Sequence, residues 1–315
     1  VIANLALKTA LRTDEARFHA LSDYPFAPHY VQVTHPQYHP LRLHYLDEGG
    51  ISDPVVLLLH GCPSWNYLYR KVIAALAGKR LRVIAPDHIG CGKSDKLLVR
   101  EDYSCEFYVD SLRQFIRQLD LKNITLVCQD WGGPVGLRVL GEMPERFARV
   151  IATNTLLPNG EAPPRGVADW PGKVINQWVQ YTSQATDIPV GKIMQGVCVT
   201  TLPTDVLAAY DAPFPDMSYK QGVMGWPSLI PIQENMPGLV ENRCVWEFLE
   251  HSDIPFMTAF SDSDPSTAEW EKVFQQRAKG AQGKQHYKIS GAGHMVQEDQ
   301  GEELAEIIYR EVQGK

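Results

Sequence analysis

The segment Val127-Cys-Gln-Asp-Trp-Gly-Gly133 closes one apolar run, Ile124-Thr-Leu-Val-Cys128, and passes straight into a helical one, Pro134 to Leu140. Small residues at 128 and 132 bracket Asp130, with one residue between on each side. This spacing fits a tight strand-to-helix turn that lifts the central side chain clear of the sheet, where bulkier flanks would collide with the following helix. Taken alone, Asp130 reads better as an N-cap, since a short carboxylate accepts from the free amides of a first helical turn. Its partners elsewhere in the chain favour a nucleophile.

Working outward, short apolar runs alternate with amphipathic stretches from Leu41 to Asn154. Strand readings fall on Leu41 to Leu46, Val55 to Leu59, Leu81 to Ala85, Ile124 to Cys128 and Val150 to Thr153. Helical spacing falls on Leu68 to Leu76, Tyr108 to Leu119 and Pro134 to Leu140. Continuous apolar strands joined by helices imply parallel pairing with right-handed crossovers. The rhythm stops near Leu156. From Pro158 to Trp226 the chain is proline-rich and offers helices, such as Gly172 to Thr182 and Thr204 to Tyr210, but no strand. It resumes with Phe256 to Phe260 and Gln285 to Ile289 and closes in a helix from Glu302 to Val312. The expected architecture is an α/β core, 1–156 and 230–315, interrupted by a helical cap over 157–229. Such an insertion would sit over the carboxyl ends of the strands, where open α/β sheets bind ligands.

Composition narrows the chemistry. The 315 residues are 44% hydrophobic, 21% charged and 10% aromatic, too apolar for a disordered chain and enough for a large core. Thirty Lys and Arg against 37 Asp and Glu leave a net charge of −7, which argues against nucleic-acid or polybasic membrane binding. Six cysteines without a Cys-x-x-Cys pair fit neither a zinc site nor a disulfide framework. Val1 to Arg17 lacks the apolar stretch of a signal peptide, and no run approaches membrane-span length. A cytoplasmic monomer is expected.

Two further segments supply partners for Asp130. His294 follows the last strand in Ile289-Ser-Gly-Ala-Gly-His-Met295, where the glycines leave room around an imidazole. Asp264 follows the preceding strand in Phe260-Ser-Asp-Ser-Asp-Pro265; Asp262 is its rival, and Asp264 is preferred because it closes the loop at the proline. The order Asp130, Asp264, His294 is nucleophile, acid, histidine. A fourth segment, Leu59-His-Gly-Cys-Pro-Ser-Trp65, follows a buried strand and would place the Cys62 and Trp131 amides as an oxyanion hole.

These segments together resemble the α/β-hydrolase fold over nearly the whole chain, and within it the haloalkane dehalogenases. The resemblance rests on Tyr45-Leu-Asp-Glu-Gly49, His60-Gly-Cys-Pro-Ser-Trp-Asn-Tyr-Leu-Tyr-Arg70, Ala85-Pro-Asp-His-Ile-Gly-Cys-Gly-Lys-Ser-Asp95, Gln129-Asp-Trp-Gly-Gly133, Ala212-Pro-Phe-Pro215 and Gly291-Ala-Gly-His-Met-Val-Gln-Glu298. The Asp-Trp pair at the turn and Pro-Ser-Trp after the oxyanion loop are its specific elements. The resemblance implies that Trp131 donates its indole N–H to a departing halide, opposite a second tryptophan from the cap. Trp178 matches that cap position, with Trp170 as the alternative, in the subfamily whose triad acid is Asp. Cys62 stands where the family usually carries Glu or Asn.

The implied reaction has two steps and needs no metal or organic cofactor. Asp130 displaces halide from a halogenated alkane to form an alkyl ester, and His294, oriented by Asp264, activates water to release the alcohol. An epoxide hydrolase is the alternative; it would need cap tyrosines, for which Tyr181, Tyr210 and Tyr219 are available. A fluoroacetate dehalogenase would call for Arg where Trp131 and Gly132 stand. A binding module predicts no turnover, and a serine esterase is excluded at position 130.

Overall fold

The structure is a computed structural model and describes residues 6–161 and 172–314. Eight strands form one sheet: β1 (His29–His35), β2 (Tyr38–Glu48), β3 (Val55–Leu59), β4 (Arg82–Pro86), β5 (Ile124–Asp130), β6 (Phe147–Thr155), β7 (Phe256–Ser261) and β8 (Tyr287–Ile289). Their spatial order is β1-β2-β4-β3-β5-β6-β7-β8. The pairs β1–β2 and β2–β4 are antiparallel, and every other pair is parallel. All five residues of β3 are buried, which explains its unbroken apolar run, and all six of β7 are buried too, Thr258 and Ser261 included.

Helices cover both faces, as the α/β reading anticipates. Alternate strand residues point to opposite sides. Leu57, Leu59, Leu126, Val150 and Ala152 enter one core layer, together with α2 (Cys105–Gln118), α3 (Gly132–Glu142), α8 (Leu239–His251) and α9 (Trp270–Arg277). Val56, Leu58, Val83, Val127, Ile151 and Met257 enter the other, against α1 (Arg70–Leu76) and α11 (Gly301–Gln313). A single turn, α10 (Val296–Asp299), precedes α11.

Among the described residues, four α-helices lie between β6 and α8: α4 (Lys173–Gln184), α5 (Val190–Gly196), α6 (Thr204–Asp211) and α7 (Gln221–Gly225). Among the described residues this stretch contains no strand. Strand β1 was not anticipated from sequence. It is an edge strand in which only Val33 is buried, so its apolar alternation is too weak to mark it.

Candidate active site

The parallel strands β3, β5, β7 and β8 and the loops at their carboxyl ends bring the singled-out residues together. Asp130 ends β5 with φ at 51°, in the left-handed region, and Trp131 begins the first turn of α3. The crowding around this turn differs from the expected clash with the following helix. A Cβ on Gly132 would lie 2.4 Å from the Leu59 carbonyl oxygen of β3, and one on Gly133 would lie 1.8 Å from Thr155 Oγ1 of β6. The small residues therefore let the turn press against its neighbouring strands. Thr155 Oγ1 donates to the Asp130 carbonyl over 2.6 Å, which fixes the strained residue from the β6 side.

The loop after β3 approaches from the other side. The Cys62 amide donates to Asp130 Oδ1 over 2.8 Å. Gly61 is the close neighbour that allows this, since a Cβ there would fall 2.1 Å from the same oxygen. The Cys62 thiol turns away and donates to the Val223 carbonyl of α7 over 3.2 Å. Burial pushes that thiol well above its ordinary range, so it stays protonated.

His294 lies between two carboxylates. Its Nδ1 is 3.0 Å from Asp264 Oδ2 and its Nε2 is 3.2 Å from Asp130 Oδ2. Burial alone would depress its pKa. The attraction of Asp264 and the hydrogen bonds to Asp130 and Asp264 outweigh this and raise it to about 10. Asp264 is buried, which would raise its pKa, but His294, Thr267 Oγ1 and the Ser266 amide hold it below the ordinary value. Asp262, the rival, is exposed and accepts from the Gly291 amide over 3.0 Å, so it shapes the turn before His294. The glycines of that turn do not serve to free the ring. Gly293 admits the Val197 carbonyl of the inserted segment, 2.5 Å from where a Cβ would stand, and Val197 accepts from the His294 amide over 2.9 Å.

A cavity of about 140 Å³ opens over these groups. Its polar lining is Asp130, His294, Ser266 and Thr267. The rest is apolar and includes Trp131, Trp178, Leu156, Val179, Ile193 and Ile230. Trp131 and Trp178 thus face the same space as the Asp130 carboxylate; Trp170 lies outside the described residues. Trp131 is braced by Trp226, stacked at 5.7 Å, which in turn stacks on Tyr108 at 4.1 Å. None of the three tyrosines offered for epoxide opening lines the cavity. Tyr210 is fully buried and donates to Glu298, which Arg70 also grips, whereas Tyr181 is exposed and stacks on Trp178.

Sequence reasoning missed three supporting groups. Thr267 holds Asp264, and three residues downstream of an Asp it looks like an ordinary turn residue. Gln129 lies beside the histidine, its Nε2 3.3 Å from His294 Nε2 and donating to the His294 carbonyl over 3.2 Å. Asn154, at the end of β6, donates to the carbonyls of Gly293 and His294 over 2.9 and 3.0 Å and so anchors the histidine loop.

Comparisons with known proteins bear on the fold and the family. Residues 54–300 match the family model described as the alpha/beta hydrolase fold. A haloalkane dehalogenase of Psychrobacter cryohalolentis is 45% identical over 298 residues, spanning 95% of this chain and 96% of the relative. One from Mycolicibacterium paratuberculosis is 40% identical over 300 residues, with 95% and 96% covered. Among solved structures, the tetrameric haloalkane dehalogenase of Paraglaciecola agarilytica superposes with a TM-score of 0.84 at 36% identity, covering 95% of this chain and 97% of that one.

Proposed function

The chain belongs to the haloalkane dehalogenases of the α/β-hydrolase fold, hydrolases that act on carbon–halide bonds, and from that premise we propose that Asp130, His294 and Asp264 carry its reaction. The observation that supports this reading most is the line from Asp130 through His294 to Asp264, whose first two members line an apolar cavity together with Trp131 and Trp178.

Asp130 attacks the halogen-bearing carbon in line. The new C–O bond makes an alkyl ester, and the C–X electron pair leaves with the halide. The indole N–H groups of Trp131 and Trp178 face the growing charge on the halide, and a dry apolar site strengthens that attraction. Water, deprotonated by His294, then adds to the ester carbonyl of Asp130. Cys62 already directs its amide at Asp130 Oδ1, where the oxyanion forms, and the Trp131 amide is its partner donor. Collapse returns the carboxylate and releases the alcohol. In this reading residues 157–229 form the cap that excludes bulk water and supplies Trp178, and 1–156 with 230–315 form the core.

The substrate is a small halogenated alkane that yields a primary alcohol, halide and a proton. The test is acid and halide release from a panel of chloro-, bromo- and iodoalkanes, with styrene oxide alongside. Halide release without epoxide opening is the expected result, and epoxide opening without halide release would overturn the reading. No helix among the described residues is long and apolar enough to cross a membrane. A cytoplasmic monomer belongs to the same proposal; light scattering that gave a tetramer would replace the monomer.

A further inference from the structure

Both ring nitrogens of His294 face carboxylate oxygens, Nδ1 at 3.0 Å from Asp264 and Nε2 at 3.2 Å from Asp130. A carboxylate only accepts hydrogen bonds, so each nitrogen in this geometry must carry a hydrogen. We infer that the resting enzyme holds His294 as an imidazolium, and that alkylation of Asp130 itself converts it into the base of the second step. The inference rests on the role proposed for Asp130 and goes beyond it by fixing when the proton leaves.

The groups facing the ring are few. Asp130 comes from the end of β5 and Asp264 from the loop after β7. Gln129 of β5 contributes a neutral dipole. The two carboxylates therefore set the ring's charge. An imidazolium in a buried site is stable only while both negative charges remain, because burial by itself favours the neutral ring.

Alkylation removes one of them. When Asp130 attacks, its charge departs with the halide and a neutral ester remains. The Nε2 hydrogen loses its anionic acceptor, and the ring gives that proton to solvent. Asp264 keeps the hydrogen on Nδ1, which leaves the Nε2 lone pair directed at the ester. The amide of Gln129, 3.3 Å away, donates to the bare nitrogen and steadies this tautomer. Water then gives one hydrogen to Nε2 and its oxygen to the ester carbon. Its second hydrogen leaves with the alcohol, and Asp130 carboxylate and imidazolium are restored together. One proton is thus released per turnover, in the halide-forming half. The device keeps a neutral base from competing for water before an ester exists.

Nitrogen-15 histidine labelling reads the ring directly, with His294→Gln identifying the signal. Asp130→Asn copies the uncharged ester, and Asn tolerates the left-handed backbone at 130. In the unmodified enzyme at pH 8, both ring nitrogens of His294 should be protonated. In Asp130→Asn the titration midpoint should fall by about 2–3 pH units, leaving a ring that is largely neutral at pH 8 and protonated on Nδ1. Asp264→Asn should lower it comparably, which covers the case in which Asp130→Asn does not fold. A neutral ring in the unmodified enzyme at pH 8, or a midpoint unmoved in whichever variants fold, overturns the inference. Halide release by the unmodified enzyme from 1-bromobutane is measured on the same samples. Its absence would remove the dehalogenase reading, whereas its presence with a neutral resting ring would remove only the charge switch.

Discussion

The Cys62 amide lies 2.8 Å from Asp130 Oδ1, and Gly61 leaves no room for a methyl group between the two loops. The loop after β3 and the turn after β5 are therefore fitted to each other through backbone, with the Cys62 side chain directed elsewhere. Gly61→Ala should displace the Asp130 carboxylate. Misplacing a reacting atom by about an ångström costs roughly 100-fold, and kcat/KM should fall by that order. Cys62→Ala keeps the amide and loses only a weak thiol bond to Val223, so it should stay within about tenfold of wild type. Steady-state halide release compares the two; equal losses would contradict a backbone-only role for position 62.

Two tryptophans lining the same cavity make a second expectation. Phe in place of Trp178 keeps most of the ring and removes the N–H. Losing one donor to a desolvated anion costs about 1.5–3 kcal/mol, so bromide affinity followed by tryptophan fluorescence should drop roughly 10- to 100-fold. Trp131→Phe should do the same. Trp170→Phe should do much less, and the reverse ranking of 170 and 178 would reassign the second halide donor.

Thr267 borders the cavity, and its hydroxyl donates to Asp264 and not to the reacting groups, which makes it a positioning residue. Thr267→Val leaves a buried carboxylate short of one hydrogen bond, a loss of about 1–3 kcal/mol. The consequence should fall on ester hydrolysis: rapid-quench kinetics should show an unchanged first turnover of halide and a kcat lowered about tenfold or more. Thr267→Ser should restore it. An equal loss in both steps would mean general disruption.

The raised pKa of His294 has a stability consequence with a definite sign. Because the folded value, about 10, exceeds the ordinary 6.5, the folded state binds the proton more tightly than the unfolded chain. The resulting stability is fully present below pH 6.5 and is lost as pH rises towards 10. The thermal midpoint of the enzyme relative to His294→Gln should therefore shrink across that window in calorimetry. A constant difference would place the ring outside the influence of its two carboxylates.

Much of this site was legible because its chemistry is local in sequence. Asp130 ends and Asp264 follows a largely apolar, buried strand, His294 follows the short strand β8, in which only Ile289 is buried, and parallel strands bring their carboxyl ends to one side. Asp262 and Asp264 were separable by position but not by contact; only the folded loop turns one toward the ring and the other toward the Gly291 amide. The supporting roles of Thr267, Gln129 and Asn154 were not legible, since they arise from contacts across 3 to 165 residues of chain. Strand β1 escaped for a simpler reason: one edge strand with one buried residue has little hydrophobic pattern to show.

The most direct test of the account is whether Asp130 becomes alkylated. His294→Gln removes the base of the second step and leaves the first intact, so incubation with 1-bromobutane should release one halide per active site and then stall. Mass spectrometry should find one butyl adduct, on the peptide carrying Asp130. An unmodified protein with no halide burst, or an adduct on any other residue, would contradict the central claim.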